Sequence, residues 1–62
     1  MLESEAMRLA AERSCEMRWD ETQCCWVILA VSYDADMVCL PAATLAQLSA
    51  EDFLRDWIPE RS

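Results

Sequence analysis

The spacing of apolar and polar positions changes several times along the chain, and each change marks an element. In residues 2–13, LESEAMRLAAER, one helical face carries Leu2, Ala6, Leu9 and Ala10 and ends at Arg13. Ala, Leu, Met, Glu and Arg are strong helix formers. Glu3 and Glu5 fall in the first turn, where carboxylates favour the helix dipole, and Glu5, Arg8 and Glu12 can pair along a solvated side. A helix over 2–13 is therefore predicted. From Cys15 to Asp20 the pattern becomes strict alternation: Cys15, Met17 and Trp19 point one way, Glu16, Arg18 and Asp20 the other. That is the pattern of a half-buried strand, with continuation of the helix to Trp19 as the competing reading.

Cys24 to Tyr33, CCWVILAVSY, is almost wholly apolar and rich in β-branched and aromatic side chains, which predicts the central strand of a small sheet. One face would carry Cys24, Trp26, Ile28, Ala30 and Ser32, the other Cys25, Val27, Leu29, Val31 and Tyr33. Both faces ask for cover, unlike those of a half-solvated strand. The polar stretch Asp20–Gln23 predicts a tight turn with Glu21 and Thr22 at its tip, which would pair Trp19 with Cys24 and Met17 with Trp26. Asp34-Ala35-Asp36 is a second break. Met37–Leu40 follows as a short strand ended by Pro41, which cannot donate to a ladder and belongs at an edge or an end.

Two capping patterns come next. Thr44 precedes Gln47 by three residues, and Ser49 precedes Asp52 by three. They predict a short helix at 45–48 and a longer one at 50–58, or one bent helix through both, stopped by Pro59. Leu45, Leu48, Phe53, Leu54, Trp57 and Ile58 supply the apolar face, and residues 60–62 are expected to fray. The whole reads as a single α+β domain over 1–62: an N-terminal helix, a three-stranded antiparallel meander and one or two C-terminal helices, α-β-β-β-α. If every helix lies on one face of the sheet, the other exposes Val27, Leu29, Val31 and Tyr33 beside Glu16 and Arg18, an apolar patch of the kind that marks an interface.

Composition narrows the functions. Sixty-two residues give a thin stability margin, so the four cysteines (Cys15, Cys24, Cys25, Cys39) raise the question of a disulfide framework. No signal-peptide pattern is present, there is no glycine, and every cysteine falls in a strand-like run, so buried free thiols are expected. Twelve acids against five arginines, with no Lys or His, give a net charge of −7. Such a chain repels nucleic acid and anionic membranes and is attracted to basic surfaces.

Catalysis finds little support, since there is no His, no Lys and no glycine-rich phosphate loop. The cysteine nucleophiles have only arginines for company. The carboxylate pairs Asp34/Asp36 and Asp52/Asp56 would need a concave pocket for acid–base work. No metal and no cofactor is expected: no C-x-x-C pair is present, Cys24 and Cys25 in a strand point apart, and Asp34-Ala35-Asp36 lacks the length and glycine of a calcium loop.

What remains is binding. The candidate partner-binding acids are Glu16, Asp20 and Glu21 on the first strand and its turn, Asp34 and Asp36 at the second turn, and Glu51, Asp52 and Asp56 on the last helix. Carboxylates in rows can stand in for nucleic-acid phosphates in a positively charged groove. The alternative is a homodimeric or antitoxin-like protein using the apolar patch Val27, Leu29, Val31 and Tyr33.

In size, acidity, compact α/β pattern and the run Glu51, Asp52 and Asp56, the chain resembles the small acidic anti-CRISPR proteins of phages and mobile elements, and among them inhibitors of type I-C systems. The resemblance implies a stoichiometric inhibitor, monomer or homodimer, in the cytoplasm of a bacterial host. It would bind a basic surface of a Cascade subunit and block target DNA by mimicking it, without contacting nucleic acid or membrane itself.

Overall fold

Six elements follow one another in the described residues, 1–61 of a computed structural model: α1 (Glu3–Glu12), β1 (Cys15–Asp20), β2 (Cys25–Ala30), β3 (Val38–Pro41), α2 (Ala42–Gln47) and α3 (Ala50–Asp56). The strands form one antiparallel sheet in the order β1-β2-β3, with β2 central. The chain is thus α+β with the predicted α-β-β-β-α order. β1 is a strand over the predicted residues, and no continuation of α1 reaches Trp19.

α1 is amphipathic, and it buries Ala6 and Ala10 against the sheet while Arg8 and Glu12 pair at 2.9 Å on its solvated side. Leu2, predicted on the apolar face, is 73% exposed because it lies outside the first helical turn as the N-cap. The helix closes with Arg13 N–H on the Ala10 carbonyl and Ser14 N–H on the Ala11 carbonyl. Ser14 then turns the chain into β1 with φ 61°, a left-handed value taken by a residue with a Cβ because the chain has no glycine.

The hairpin register differs from the predicted one by two residues. Trp19 faces Trp26 and Met17 faces Ile28. The cause is a four-residue connection, 21–24, in place of a two-residue tip. The Asp20 carboxylate accepts from Thr22 N–H at 2.9 Å and from Gln23 N–H at 3.4 Å, and Cys24 closes the turn at φ 52°. A shift of two preserves side-chain parity, so the face assignments within the paired residues survive it. β2 is shorter than predicted, because it ends where its partner does: Val31 N–H donates to the Ser14 carbonyl at 2.9 Å, and residues 31–33 bend away.

Every helix covers the same face of the sheet. Cys15, Met17, Trp26, Ile28 and Leu40 from the strands share one core with Ala6, Ala10, Leu45 and Phe53 from the helices. Trp19 and Trp26 meet edge to face at 5.3 Å between centroids, with Trp19 still 43% exposed.

The C-terminal helices depart from their predicted bounds. α2 starts at Ala42, directly after Pro41, whose φ of −60° suits a helix entrance, so Thr44 sits inside the helix rather than capping it. The early start carries Leu45 into the core. Ser49 does cap α3, its Oγ accepting from Asp52 N–H at 3.2 Å. α3 ends at Asp56, before Trp57 and Ile58 turn onto the core and Pro59 becomes buried. A residue preceding proline disfavours helical geometry, so the break falls ahead of Pro59 rather than at it. Arg61, expected to fray, lies over the Tyr33 ring at 5.1 Å; Ser62 lies outside the described residues.

Candidate functional site

The face of the sheet that carries no helix presents Glu16, Arg18 and Asp20 from β1, Cys25, Val27 and Leu29 from β2, and Cys39 and Pro41 from β3. Two of the predicted patch residues, Val27 and Leu29, lie here, half-buried by their neighbours. Val31, whose N–H makes the last bond at this end of the ladder, is 61% exposed. Tyr33 is not part of the patch. It follows the strand in a bend, packs against the core, and donates its hydroxyl to the Pro59 carbonyl at 2.7 Å, with the Cys15 thiol 3.2 Å from the same oxygen. The hydrogen bond to Cys15, then burial, holds the Tyr33 hydroxyl above its ordinary pKa, against a smaller opposing pull from Arg61. No alternation signal could have moved Tyr33 off that face, because its acceptor is a backbone carbonyl distant in sequence.

The carboxylates fall into separate groups. Glu16 pairs with Arg18 at 2.7 Å on the open sheet face. Asp20 holds the β1–β2 turn, and Glu21 beside it is exposed. Asp34 and Asp36 are exposed in the loop at the opposite end of the sheet, where β2 leads to β3. On α3, Arg55 bridges Asp52 at 2.8 Å and Asp56 at 2.9 Å, while Glu51 is exposed and forms no ion pair among the described residues. Hydrogen bonding to Arg55 holds the Asp56 carboxyl below its ordinary range, and Asp56 in turn raises Arg55. The fold therefore joins Glu51, Asp52 and Asp56 on one helix, and Glu16, Asp20 and Glu21 along one strand and its turn. It does not gather all eight acids into one surface.

Three of the five arginines follow the acids. Arg8 lies against Glu12, Arg18 against Glu16, and Arg55 against two carboxylates, and no positive patch forms among the described residues. Sequence reasoning foresaw only the Arg8–Glu12 pairing.

Two of the four free thiols, Cys15 and Cys25, are buried. Cys24 and Cys39 are exposed, contrary to the expectation of burial. Cys24 belongs to the turn rather than to the strand, and Cys39 stands on the uncovered side of an edge strand. No group of three or more Cys, Asp or Glu side chains is arranged to hold a metal ion among the described residues. A depression of about 470 Å³ lies between the start of α1 and α2 and offers only Glu3 and Ser4 as polar side chains. No helix among the described residues is long and apolar enough to cross a membrane. Comparison with protein-family models, curated proteins and solved structures finds no match for this chain.

Proposed function

We propose that this chain is a non-enzymatic inhibitor that occupies a basic, nucleic-acid-binding protein surface with its own carboxylates. The observation that carries this reading is the placement of the arginines. Three of them are held against neighbouring carboxylates, and no basic patch forms among the described residues to interrupt a net charge of −7. Glu21, Asp36 and Glu51 stay exposed on the turn, the loop and α3. An acidic domain of this kind is drawn to a cationic groove over long range and docks by charge complementarity. The resemblance to acidic anti-CRISPR proteins makes a Cascade subunit, in the bacterial cytoplasm, the partner to try.

The test is capture of purified Cascade subunits across a salt series, with and without target DNA. The expected result is binding that falls steeply with salt and competes with DNA. Charge reversal of Glu51, Asp52 and Asp56 together is expected to weaken it about tenfold or more, equivalent to roughly 1.4 kcal/mol, with the fold intact by circular dichroism. A second reading, docking through the open sheet face, is favoured by the absence of a covering layer over Val27 and Leu29. It predicts binding that survives salt and is lost on Val27→Asp or Leu29→Asp. Absence of any binding to Cascade would overturn the choice of target.

A further inference from the structure

We propose that Cys39 and Cys25 are a peroxide-reactive thiol pair that closes a reversible disulfide between β2 and β3. The register carries the inference. Cys39 stands opposite Val27 and Cys25 opposite Pro41, so the two thiols are diagonal neighbours on the same uncovered face of the sheet. Their settings differ in exposure. Cys39 is exposed and open to a small oxidant, whereas Cys25 is buried beside it. Burial, followed by the adjoining Cys39 thiol and the Asp20 carboxylate, keeps Cys25 protonated above its ordinary range, which shields it from direct attack. The third thiol on this end of the sheet, Cys24, is turned aside: its Sγ donates to the Glu21 carbonyl at 3.6 Å within the turn.

The reaction balances with a hydroperoxide as the oxidant. Cys39 loses its proton to solvent, the thiolate attacks one peroxide oxygen, the O–O bond breaks, hydroxide leaves and takes up a proton to become water, and Cys39 becomes a sulfenic acid. The Cys25 sulfur then attacks the Cys39 sulfur, the S–O bond breaks, and water leaves with the Cys25 proton. In sum, two thiols and one hydrogen peroxide give one disulfide and two waters. Diagonal residues in an antiparallel pair are about 7–8 Å apart at Cα, just beyond the roughly 4.4–6.8 Å of most disulfides. β3 must therefore move inward by about an ångström. It is the strand able to do so, being four residues long, on the sheet edge and ended by Pro41. A bond closed against that displacement is strained, and strained disulfides are the easily reduced ones.

The full chain, folded and at low concentration, is treated with hydrogen peroxide, its remaining thiols are alkylated, and it is cleaved on the N-terminal side of aspartate. That cleavage separates the Cys24-Cys25 peptide from the Cys39 peptide, which trypsin would leave joined. Wild type and Cys24→Ser are expected to give a cross-linked peptide pair, with two thiols lost per monomer and recovered by dithiothreitol. Cys39→Ser and Cys25→Ala are expected to give none, and circular dichroism of each variant confirms that it is folded. A cross-link that persists in Cys25→Ala overturns the proposal, as does Cys39 carried only to sulfinic or sulfonic acid, or linkage between chains.

Discussion

Tyr33 joins three parts of the chain through one oxygen. Its hydroxyl donates to the Pro59 carbonyl and lies beside the Cys15 thiol, so it ties the end of the sheet to the segment after α3. Tyr33→Phe removes the donor and leaves that carbonyl without it; a loss of about 1–2 kcal/mol is expected, read as a lower urea midpoint at unchanged slope. Because the folded state raises the Tyr33 pKa, its contribution is complete below the ordinary tyrosine value. It is lost as pH rises through the higher, folded value. Ultraviolet difference titration of the folded and urea-unfolded chain checks the direction. Ser14 and Cys24 are the complementary case, residues with a Cβ held at φ 61° and 52°. Ser14→Gly is expected to gain about 0.5–1 kcal/mol by relieving a left-handed strain that outweighs the added freedom of the unfolded chain. None of these roles was legible beforehand. Alternation placed Tyr33 on the open face, and nothing in the residue types at 14 or 24 announces a positive φ.

At the scale of the element, what was legible is what depends on nearest neighbours in sequence. The alternation of CEMRWD identified β1 to the residue, and Ser49 with Asp52 identified the entrance to α3. Ser49→Ala is expected to cost about 1 kcal/mol through the orphaned Asp52 N–H, seen as a lower thermal midpoint with native circular dichroism. Thr44 and Gln47 offered the fuller capping box, Ser49 and Asp52 only a near match with Asp in place of Glu, yet Thr44 did not cap, since the helix begins where β3 delivers the chain and where Leu45 can reach the core. The hairpin register was missed for a related reason. Turn length was settled by the Asp20 carboxylate drawing in Thr22 and Gln23, which made a four-residue connection cheaper than a two-residue tip without glycine or asparagine. On α3, the lowered Asp56 pKa sets a pH dependence of definite sign. The Arg55–Asp56 contribution is present above the ordinary carboxylate range and fades as pH falls through the depressed value. Carboxyl chemical shifts followed by NMR should show Asp56 titrating low, and returning to the ordinary range in Arg55→Gln.

Over the whole molecule, stability rests on one small core with all its helices on one side of the sheet. Phe53 is fully buried at its centre. Phe53→Ala is expected to cost about 3–5 kcal/mol, much of what a domain of this size possesses, so the variant should be largely unfolded at room temperature by near-ultraviolet circular dichroism. The candidate site was half legible at this scale. Net charge gave its sign, and period-two reading gave Val27 and Leu29 on one face. The distribution of acids over both ends of the sheet and α3 depends on how the elements are arranged, which no local pattern states.

The one-sided cover of the sheet has a further consequence for synthesis. The hairpin of β1 and β2 leaves the ribosome before α2 and α3 have emerged to cover it, yet its buried side bears Met17, Trp26 and Ile28, which only those later helices and α1 together enclose. Until Phe53 emerges, the nascent chain displays half a core to its surroundings. Mutual repulsion between acidic nascent chains opposes their association during that interval, so part of the negative charge serves the protein before it has folded.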